Sequence, residues 1–270
     1  MRLAINHVTH YAFEQPVGHG LQRLHLTPKD THGQQVLDWS MRLTGAAREA
    51  DYDDQNHNRT TLISLEPGVK EVTVECSGTV ETADNAGVVG RHDGFLPLWV
   101  FCGATALTRP GPKLRALAAP FAHTDKGVDT LHALSAAVLD ALPYEAGHTT
   151  VTTNAEEALG IGHGVCQDHA HVFCAAARSL GVPARYVGGY LMLNDRIEQE
   201  AGHAWAEAHL PELGWVGFDI SNQISPDSRY VRVASGRDYR EAAPVTGIAI
   251  GAGATHLEVC LAVEQQTAQQ

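Results

Sequence analysis

Cys166 is the residue of this sequence best suited to covalent chemistry. Two glycines, Gly162 and Gly164, predict a sharp turn just before it. The residues that follow have the apolar spacing of a helix: Cys166, Ala170, Phe173, Ala177 and Leu180. Cys166 is therefore predicted to lie in the first helical turn, where free N–H groups and the helix dipole stabilise a thiolate. A thiolate attacks carbonyl carbon, and the same N–H groups can bind the resulting oxyanion.

The other four cysteines lie in apolar segments, which predicts inert core thiols. They are Cys76, Cys102, Cys174 and Cys260. Five cysteines make an odd number, and none forms a CxxC pair. This pattern favours reduced thiols in a cytosolic protein over a disulfide framework.

A thiol nucleophile needs a base, and the base needs a group that orients it. His203 and Asp219 fit these roles. His203 opens a predicted strand at 203–210 with apolar even positions, and a tight turn leads to a second strand that ends at Asp219. If the two strands pair as a hairpin, His203 faces the position of Ser221. Asp219 then lies one diagonal step away, roughly 7–8 Å, within reach of a His–Asp hydrogen bond.

The predicted elements around these residues divide the chain into three parts. Residues 1–82 alternate as short strands and predict a small β-sandwich-like domain. Residues 83–127 read as a connector that begins with a loop at 83–95. Residues 128–270 open with a helix at 128–142, followed by a short helix with a capping box, and form the predicted catalytic domain. The Gln-rich last few residues are predicted to fray.

The chain resembles the transglutaminase-like superfamily, specifically the bacterial cysteine-protease-type members that carry an extra N-terminal β domain. The resemblance covers nearly the whole chain, and the Cys, His and Asp blocks are specific in this order. The matching segments include Gly164-Val165-Cys166-Gln167-Asp168, Leu180-Gly181-Val182-Pro183-Ala184-Arg185-Tyr186-Val187, Gly189-Tyr190, His203-Ala204-Trp205, Gly214-Trp215-Val216-Gly217-Phe218-Asp219, Gly236-Arg237-Asp238-Tyr239 and Pro244-Val245-Thr246-Gly247. The resemblance implies an α+β, papain-like core, in which a helix carrying Cys166 packs on an antiparallel sheet carrying His203 and Asp219.

Two departures from related patterns bear on chemistry. The family often has Pro-Thr-Asn after the aspartate, whereas this chain has Ile220-Ser221-Asn222. That change can alter the turn but removes no catalytic atom. Arylamine acetyltransferases share the superfamily, yet their Arg-Gly-Gly before the cysteine is absent here. Acetyl-CoA is therefore not expected, and no cofactor is predicted.

The residues and the resemblance together predict attack on an amide carbonyl and a thioester intermediate. Water as acceptor would give a peptidase or amidase, and an amine would give a transglutaminase. The triad does not decide between them, but free-standing bacterial members are usually assigned as proteases, which favours hydrolysis. Two other classes stay open: a binding protein on an inactive protease fold, and a metal-dependent hydrolase that uses the histidines.

Several neighbouring residues have both a functional and a structural interpretation. Gln167 could donate to an oxyanion or be a polar helix-start residue. Tyr190 and Trp205 could wall a substrate cleft or pack within strands. Asp168 most simply complements the helix dipole. His169 and His171 are two apart and point to different sides of a helix, so no metal site is predicted.

Bulk composition excludes some partners. The net charge is −12 and no basic stripe is present, which argues against nucleic acid. The N-terminus lacks the apolar core of a signal peptide, and the most apolar run, 95–107, is too short to span a membrane. We expect a cytoplasmic protein that acts on a peptide or protein amide. The sequence does not indicate its oligomeric state.

Overall fold

A computed structural model describes residues 1–266 of the 270-residue chain. The fold in this range is α+β, with antiparallel sheets and a small group of helices. The predicted fraying of the Gln-rich end concerns residues 267–270 and lies outside the described residues.

The first part of the chain is all-β. Alternate residues of its first strand are buried from Leu3 to Phe13, which turns one face towards the core, as the sequence predicts. The strand β4 ends at Asp53, and the polar residues 54–58 connect it to β5. The strands are β1 Arg2–Phe13, β2 His19–Leu24, β3 Gln34–Thr44, β4 Ala46–Asp53, β5 Arg59–Leu65, β6 Glu71–Thr82 and β7 Val88–Gly90.

The helices lie in the second part, where α1 to α3 pack on α4. The short helix α3 has the predicted capping box. Asn154 Oδ1 accepts from the Glu157 N–H at 3.0 Å, and Glu157 Oε2 accepts from the Asn154 N–H at 3.0 Å. The helices are α1 Pro112–Ala118, α2 Val128–Ala141, α3 Ala155–Ile161, α4 Cys166–Ser179 and α5 Tyr239–Ala242.

One five-stranded sheet supports these helices, in the order β12-β8-β10-β11-β7. The even residues of β10, Ala204, Ala206 and Ala208, pack in one apolar core with residues of α4. The odd residues Trp205 and Glu207 lie on the opposite face. Besides β7, the strands of this sheet are β8 Ala184–Leu191, β10 His203–Leu210, β11 Gly214–Phe218 and β12 Tyr230–Gly236. Because β7 pairs with β11, the loop predicted at 83–95 contains a short strand.

The end of the described chain returns to the first part. The strands β13 Val245–Ile250 and β14 Thr255–Gln265 pair with β2 and β1, and the short strand β9 Glu198–Gln199 pairs with β14. They complete the sheets β3-β6-β1-β14-β9 and β13-β2-β5-β4. Residues of the predicted catalytic part 128–270 therefore pair with strands of the first part, since β14 fills the edge of β1, a contact that local sequence patterns do not reveal.

Amide side chains join the two parts at the edge strand β12. Gln34 Nε2 donates to the Arg232 carbonyl at 2.9 Å, and Gln34 Oε1 accepts from the Arg232 N–H at 2.8 Å. Asn58 makes the same pair of bonds to Ser235, both at 2.8 Å. These amides satisfy backbone groups that an edge strand would otherwise leave open.

A buried cluster of charges lies on the face of the sheet away from α4. Glu207 is fully buried and accepts from Arg185 Nε at 2.5 Å and from Arg232 Nε at 2.9 Å. The Arg185 guanidinium also lies 4.0 Å above the ring of Trp215. Burial alone would raise the pKa of Glu207, but the two guanidinium groups hold it below its usual value. One carboxylate therefore bridges two neighbouring cations.

Candidate active site

Cys166 is the first residue of α4, as the sequence predicts. The Asp168 carboxylate fixes this helix start, since Oδ2 accepts from the Val165 N–H at 2.9 Å and from Thr149 Oγ1 at 2.6 Å. A Cβ at Gly164 would lie 2.9 Å from the Asp168 Cβ, so this close approach requires glycine. Asp168 is thus the capping group of the helix that presents the thiol.

The strands β10 and β11 form the predicted hairpin. Ala206 pairs with Phe218, and this register continued by three residues places His203 opposite Ser221. His203 Nε2 lies 2.6 Å from Asp219 Oδ2. The diagonal His–Asp contact expected from strand parity is therefore present in the structure.

In addition to His203, Tyr230 and Asn222 also hold Asp219. Its Oδ2 also accepts from Tyr230 Oη at 2.6 Å and from Asn222 Nδ2 at 2.7 Å, while Oδ1 accepts from the Asn222 N–H at 3.2 Å. Burial alone would raise the pKa of Asp219, but the hydrogen bonds from these groups lower it. The carboxylate is therefore ionised and fixed in orientation.

His203 lies between Asp219 and Cys166. Burial alone would lower the pKa of the imidazole, but the Asp219 hydrogen bond and the neighbouring Cys166 thiol raise it to about 10. With Nε2 committed to Asp219, Nδ1 is the ring nitrogen available to Cys166. The raised pKa favours the imidazolium form of His203.

His169 and His171 have separate structural partners. His169 Nε2 lies 2.7 Å from the Leu142 carbonyl, so this nitrogen carries the proton, and Nδ1 accepts from Ser221 Oγ at 2.8 Å. His171 Nε2 accepts from the Tyr239 N–H at 3.0 Å. Within residues 1–266, no group of three His, Cys, Asp or Glu side chains is arranged to hold a metal ion.

Buried neutral histidines should make the fold sensitive to acid. Burial lowers the pKa of His171 to about 3, whereas an unfolded histidine has a pKa near 6.5. Between these values the unfolded chain binds the extra proton, so stability falls as the pH drops below about 6.5. We expect His171→Gln to reduce the slope of unfolding free energy against pH by up to about 1.4 kcal/mol per pH unit in this window.

Urea titrations at several pH values measure that slope. His123→Gln is the matched control, because His123 is exposed and its loss should leave the slope unchanged. A His171→Gln slope equal to that of the wild type would contradict the prediction.

The remaining cysteines differ in exposure. Cys76 and Cys174 are fully buried, and burial raises the pKa of each thiol to about 12. Cys102 is half-buried. The prediction of a core thiol was wrong for Cys260, which is exposed because it lies on the outer face of β14. Cys260 therefore provides an accessible thiol without the environment of Cys166.

A cleft of about 330 Å³ contains Cys166 and His203 in its lining. Gln167 and Tyr190 also line it, and Gln167 Nε2 donates to the Val151 carbonyl at 3.3 Å. Trp205 does not line this cleft. Its ring stacks behind His203, with centroids 6.3 Å apart, so it supports the imidazole instead of walling the substrate site.

Sequence reasoning did not identify Tyr230 or assign a role to Asn222. Asn222 is three residues beyond Asp219, and its position in the turn could have suggested a contact with the carboxylate. Tyr230 reaches Asp219 from β12, and no local spacing indicates that contact.

Comparison with family models matches two segments of the chain. Residues 115–220 match the model described as the transglutaminase-like superfamily, and this range includes Cys166, His203 and Asp219. Residues 3–81 match the model of the bacterial transglutaminase-like N-terminal region.

Individual relatives show similarity of different extent. An uncharacterized protein of Mycobacterium leprae is 29% identical over 97% of this chain and 98% of its own length. A protein-glutamine gamma-glutamyltransferase of Pseudomonas aeruginosa is 32% identical over 43% of this chain, but the match covers 19% of that protein. A crystal structure from Cytophaga hutchinsonii, provisionally described as a cysteine protease, has a TM-score of 0.77 at 21% identity, covering 100% of this chain and 92% of that one. At this identity the likeness shows the fold.

No helix within the described residues is both long and apolar enough to cross a membrane.

Proposed function

Because this chain carries a transglutaminase-like core and the bacterial transglutaminase-like N-terminal region, we propose that it is a cysteine-dependent hydrolase of amide or peptide bonds. The observation that supports this most directly is the alignment of three groups. Cys166 begins α4 beside His203, and Asp219 binds the far ring nitrogen of His203 at 2.6 Å. A nucleophile, a base and an orienting carboxylate in this order are the parts that acyl transfer requires.

Each step of the proposed reaction uses one of these groups. His203 takes the proton of the Cys166 thiol, and the thiolate attacks the amide carbonyl carbon. Free N–H groups at the start of α4 stabilise the tetrahedral oxyanion. The C–N bond then breaks, His203 gives its proton to the departing amine, and a thioester on Cys166 remains. Water activated by His203 hydrolyses the thioester and restores the thiol.

Acyl transfer to an amine is the second candidate. It is favoured by the partial similarity to the Pseudomonas gamma-glutamyltransferase, and it shares every step up to the thioester. Mass spectrometry of a glutamine peptide with and without a small primary amine separates the two. Hydrolysis gives the free acid in both reactions, whereas transfer gives an amide adduct when the amine is present.

Selective alkylation of Cys166 tests the proposal. At about pH 6, a low concentration of iodoacetamide should label Cys166 about tenfold or more faster than the exposed Cys260, because His203 stabilises the thiolate. His203→Ala should remove this advantage. Site-resolved mass spectrometry measures both rates in one sample, so Cys260 serves as the internal control.

Two results would contradict the proposal. One is Cys166 labelling no faster than that of Cys260 in the wild type, and the other is an equal Cys166 rate in His203→Ala. Either result would favour a binding protein on an inactive fold. Loss of substrate turnover on addition of a chelator would instead favour the metal-dependent alternative.

A further inference from the structure

The cleft beside Cys166 has a second wall, which the paired strands β1 and β14 form. On this wall β1 contributes Tyr11, and β14 contributes Leu257 and Val259. Leu257 pairs with Tyr11 in the sheet, so the three residues share one continuous surface. At about 330 Å³, the cleft is near the lower end of ligand sites, which span roughly 300–1,000 Å³.

The lining of the cleft has no permanently charged side chain. Among the described residues, no Asp, Glu, Lys or Arg lines it, although 19% of the whole chain is charged. Apolar groups dominate instead, including Leu26, Tyr186, Val233 and Val245. Apart from His203 beside the thiol, the described lining is therefore uncharged, in contrast to the net charge of −12 carried by the chain.

Two polar side chains of the second wall, His7 and Thr9, are hydrogen-bonded within the lining of the cleft. His7 Nδ1 lies 2.8 Å from Tyr190 Oη, and His7 Nε2 lies 3.1 Å from Thr9 Oγ1. Burial lowers the pKa of His7 to about 4, so its ring is neutral at physiological pH. His25 is fully enclosed, with its Nε2 beside Thr60 and Asp54. A charged substrate group at this wall would lose its hydration without gaining an oppositely charged side chain among the described lining residues.

The acyl part of the substrate is the part that must stay in such a cleft. In the proposed reaction the amine departs and water enters, while the acyl group remains attached to Cys166. Resting on that reaction, we infer that the cleft binds an uncharged, apolar segment on the acyl side of the scissile amide. The wall formed by β1 and β14 then determines this specificity.

Gly188 offers a way to fill the cleft. A Cβ at Gly188 would meet its nearest atoms, the Ala242 carbonyl oxygen and Tyr186 Cε1, at 3.8 and 3.9 Å, which is ordinary contact. The adjacent Gly189 differs, because a Cβ there would lie 2.1 Å from the Val231 carbonyl oxygen. Gly188→Leu should therefore narrow the cleft without a backbone clash.

Val259 and Cys260 offer a matched pair of charge insertions. Val259 lines the cleft, and Cys260 is the next residue of β14, exposed on the opposite face. Val259→Glu places a carboxylate in the cleft wall. Cys260→Glu adds the same charge to the same strand outside the cleft.

N-substituted iodoacetamides test the inference, because the carbon that joins sulfur takes the place of the acyl carbon. The three substituents are 3-phenylpropyl, 3-carboxypropyl and 3-aminopropyl, with plain iodoacetamide as reference. The measured quantity is the rate of Cys166 labelling by each reagent, divided by the rate with plain iodoacetamide. We expect this relative rate to be about tenfold or more higher for the phenylpropyl reagent than for either charged reagent. Gly188→Leu and Val259→Glu should each reduce that preference about fivefold or more, whereas Cys260→Glu should retain it.

Equal relative rates for the three reagents would overturn the inference. So would a preference that survives both Gly188→Leu and Val259→Glu. Failure of plain iodoacetamide to label Cys166 would count against the proposed function instead. In that case calorimetric titration with the corresponding unreactive acetamides still tests the cleft, and binding of the phenylpropyl compound alone would support an apolar site.

Discussion

Asp219→Asn should lower kcat/KM for amide hydrolysis by about three to four orders of magnitude. Asp219 Oδ2 accepts hydrogen bonds from His203, Tyr230 and Asn222 at 2.6 to 2.7 Å. An asparagine amide in this position keeps the shape but loses the charge that stabilises the imidazolium. If it presents its NH₂ group, His203 must adopt the opposite tautomer, and Nδ1 then carries the proton that it should accept. Steady-state kinetics on a peptide amide measures the loss.

The same substitution should also move the pH profile. The hydrogen bond to Asp219 is a main cause of the raised pKa of His203, about 10, so the imidazolium that protonates the departing amine in the proposed reaction persists at mildly alkaline pH. Wild-type activity should therefore fall only as the pH rises through about 10. In Asp219→Asn this alkaline limb should shift to lower pH by about one unit or more.

Asp140→Asn is the control for both measurements, since Asp140 is exposed on α2. It should leave kcat/KM and the pH limb unchanged. Activity of Asp219→Asn within about tenfold of the wild type would show that Asp219 does not orient the catalytic base.

Glu207→Ala should lower the free energy of unfolding by about 3–5 kcal/mol. Glu207 is fully buried and bridges Arg185 and Arg232, so its removal leaves two guanidinium groups without their shared carboxylate. The cost arises mainly from uncompensated charge in a region with little water. Urea unfolding followed by tryptophan fluorescence measures the loss.

A solvent-accessible ion pair supplies the comparison. Asp227 binds Arg229 at 2.7 Å, but both side chains are more than a quarter exposed. Asp227→Ala should therefore cost about 1 kcal/mol or less. A Glu207→Ala loss as small as that of Asp227→Ala would show that Arg185 and Arg232 are well solvated without their partner.

Local patterns predicted the parts of the fold that local physics determines. Alternation marked β1 and β10, and the spacing after Cys166 marked α4, because a buried face imposes its period on the sequence. The hairpin register followed from side-chain parity and a short turn, which is why the contact between His203 and Asp219 was predicted correctly.

Long-range pairing was not predictable in the same way. Alternation identifies a strand but not its neighbour, so nothing in β14 showed that it pairs with β1 and walls the cleft. Tyr230 was missed for a similar reason, since its contact with Asp219 depends on the order β12-β8-β10-β11. Trp205 was assigned to the correct strand, but the sequence did not show whether its ring walls the cleft or packs within the sheet. In the structure the ring stacks behind His203.

The pairing of β14 with β1 has a consequence for biosynthesis. Leu3 pairs with Gln265 and Phe13 with Thr255, so β1 leaves the ribosome long before its partner is translated. Until then, that edge of β1 lacks its neighbour, and the cleft lacks the wall that carries Leu257 and Val259. The thiol at Cys166 is also synthesised before that wall. A nascent chain can therefore form α4 and the His203–Asp219 hairpin, yet the cleft is complete only after β14 has been added.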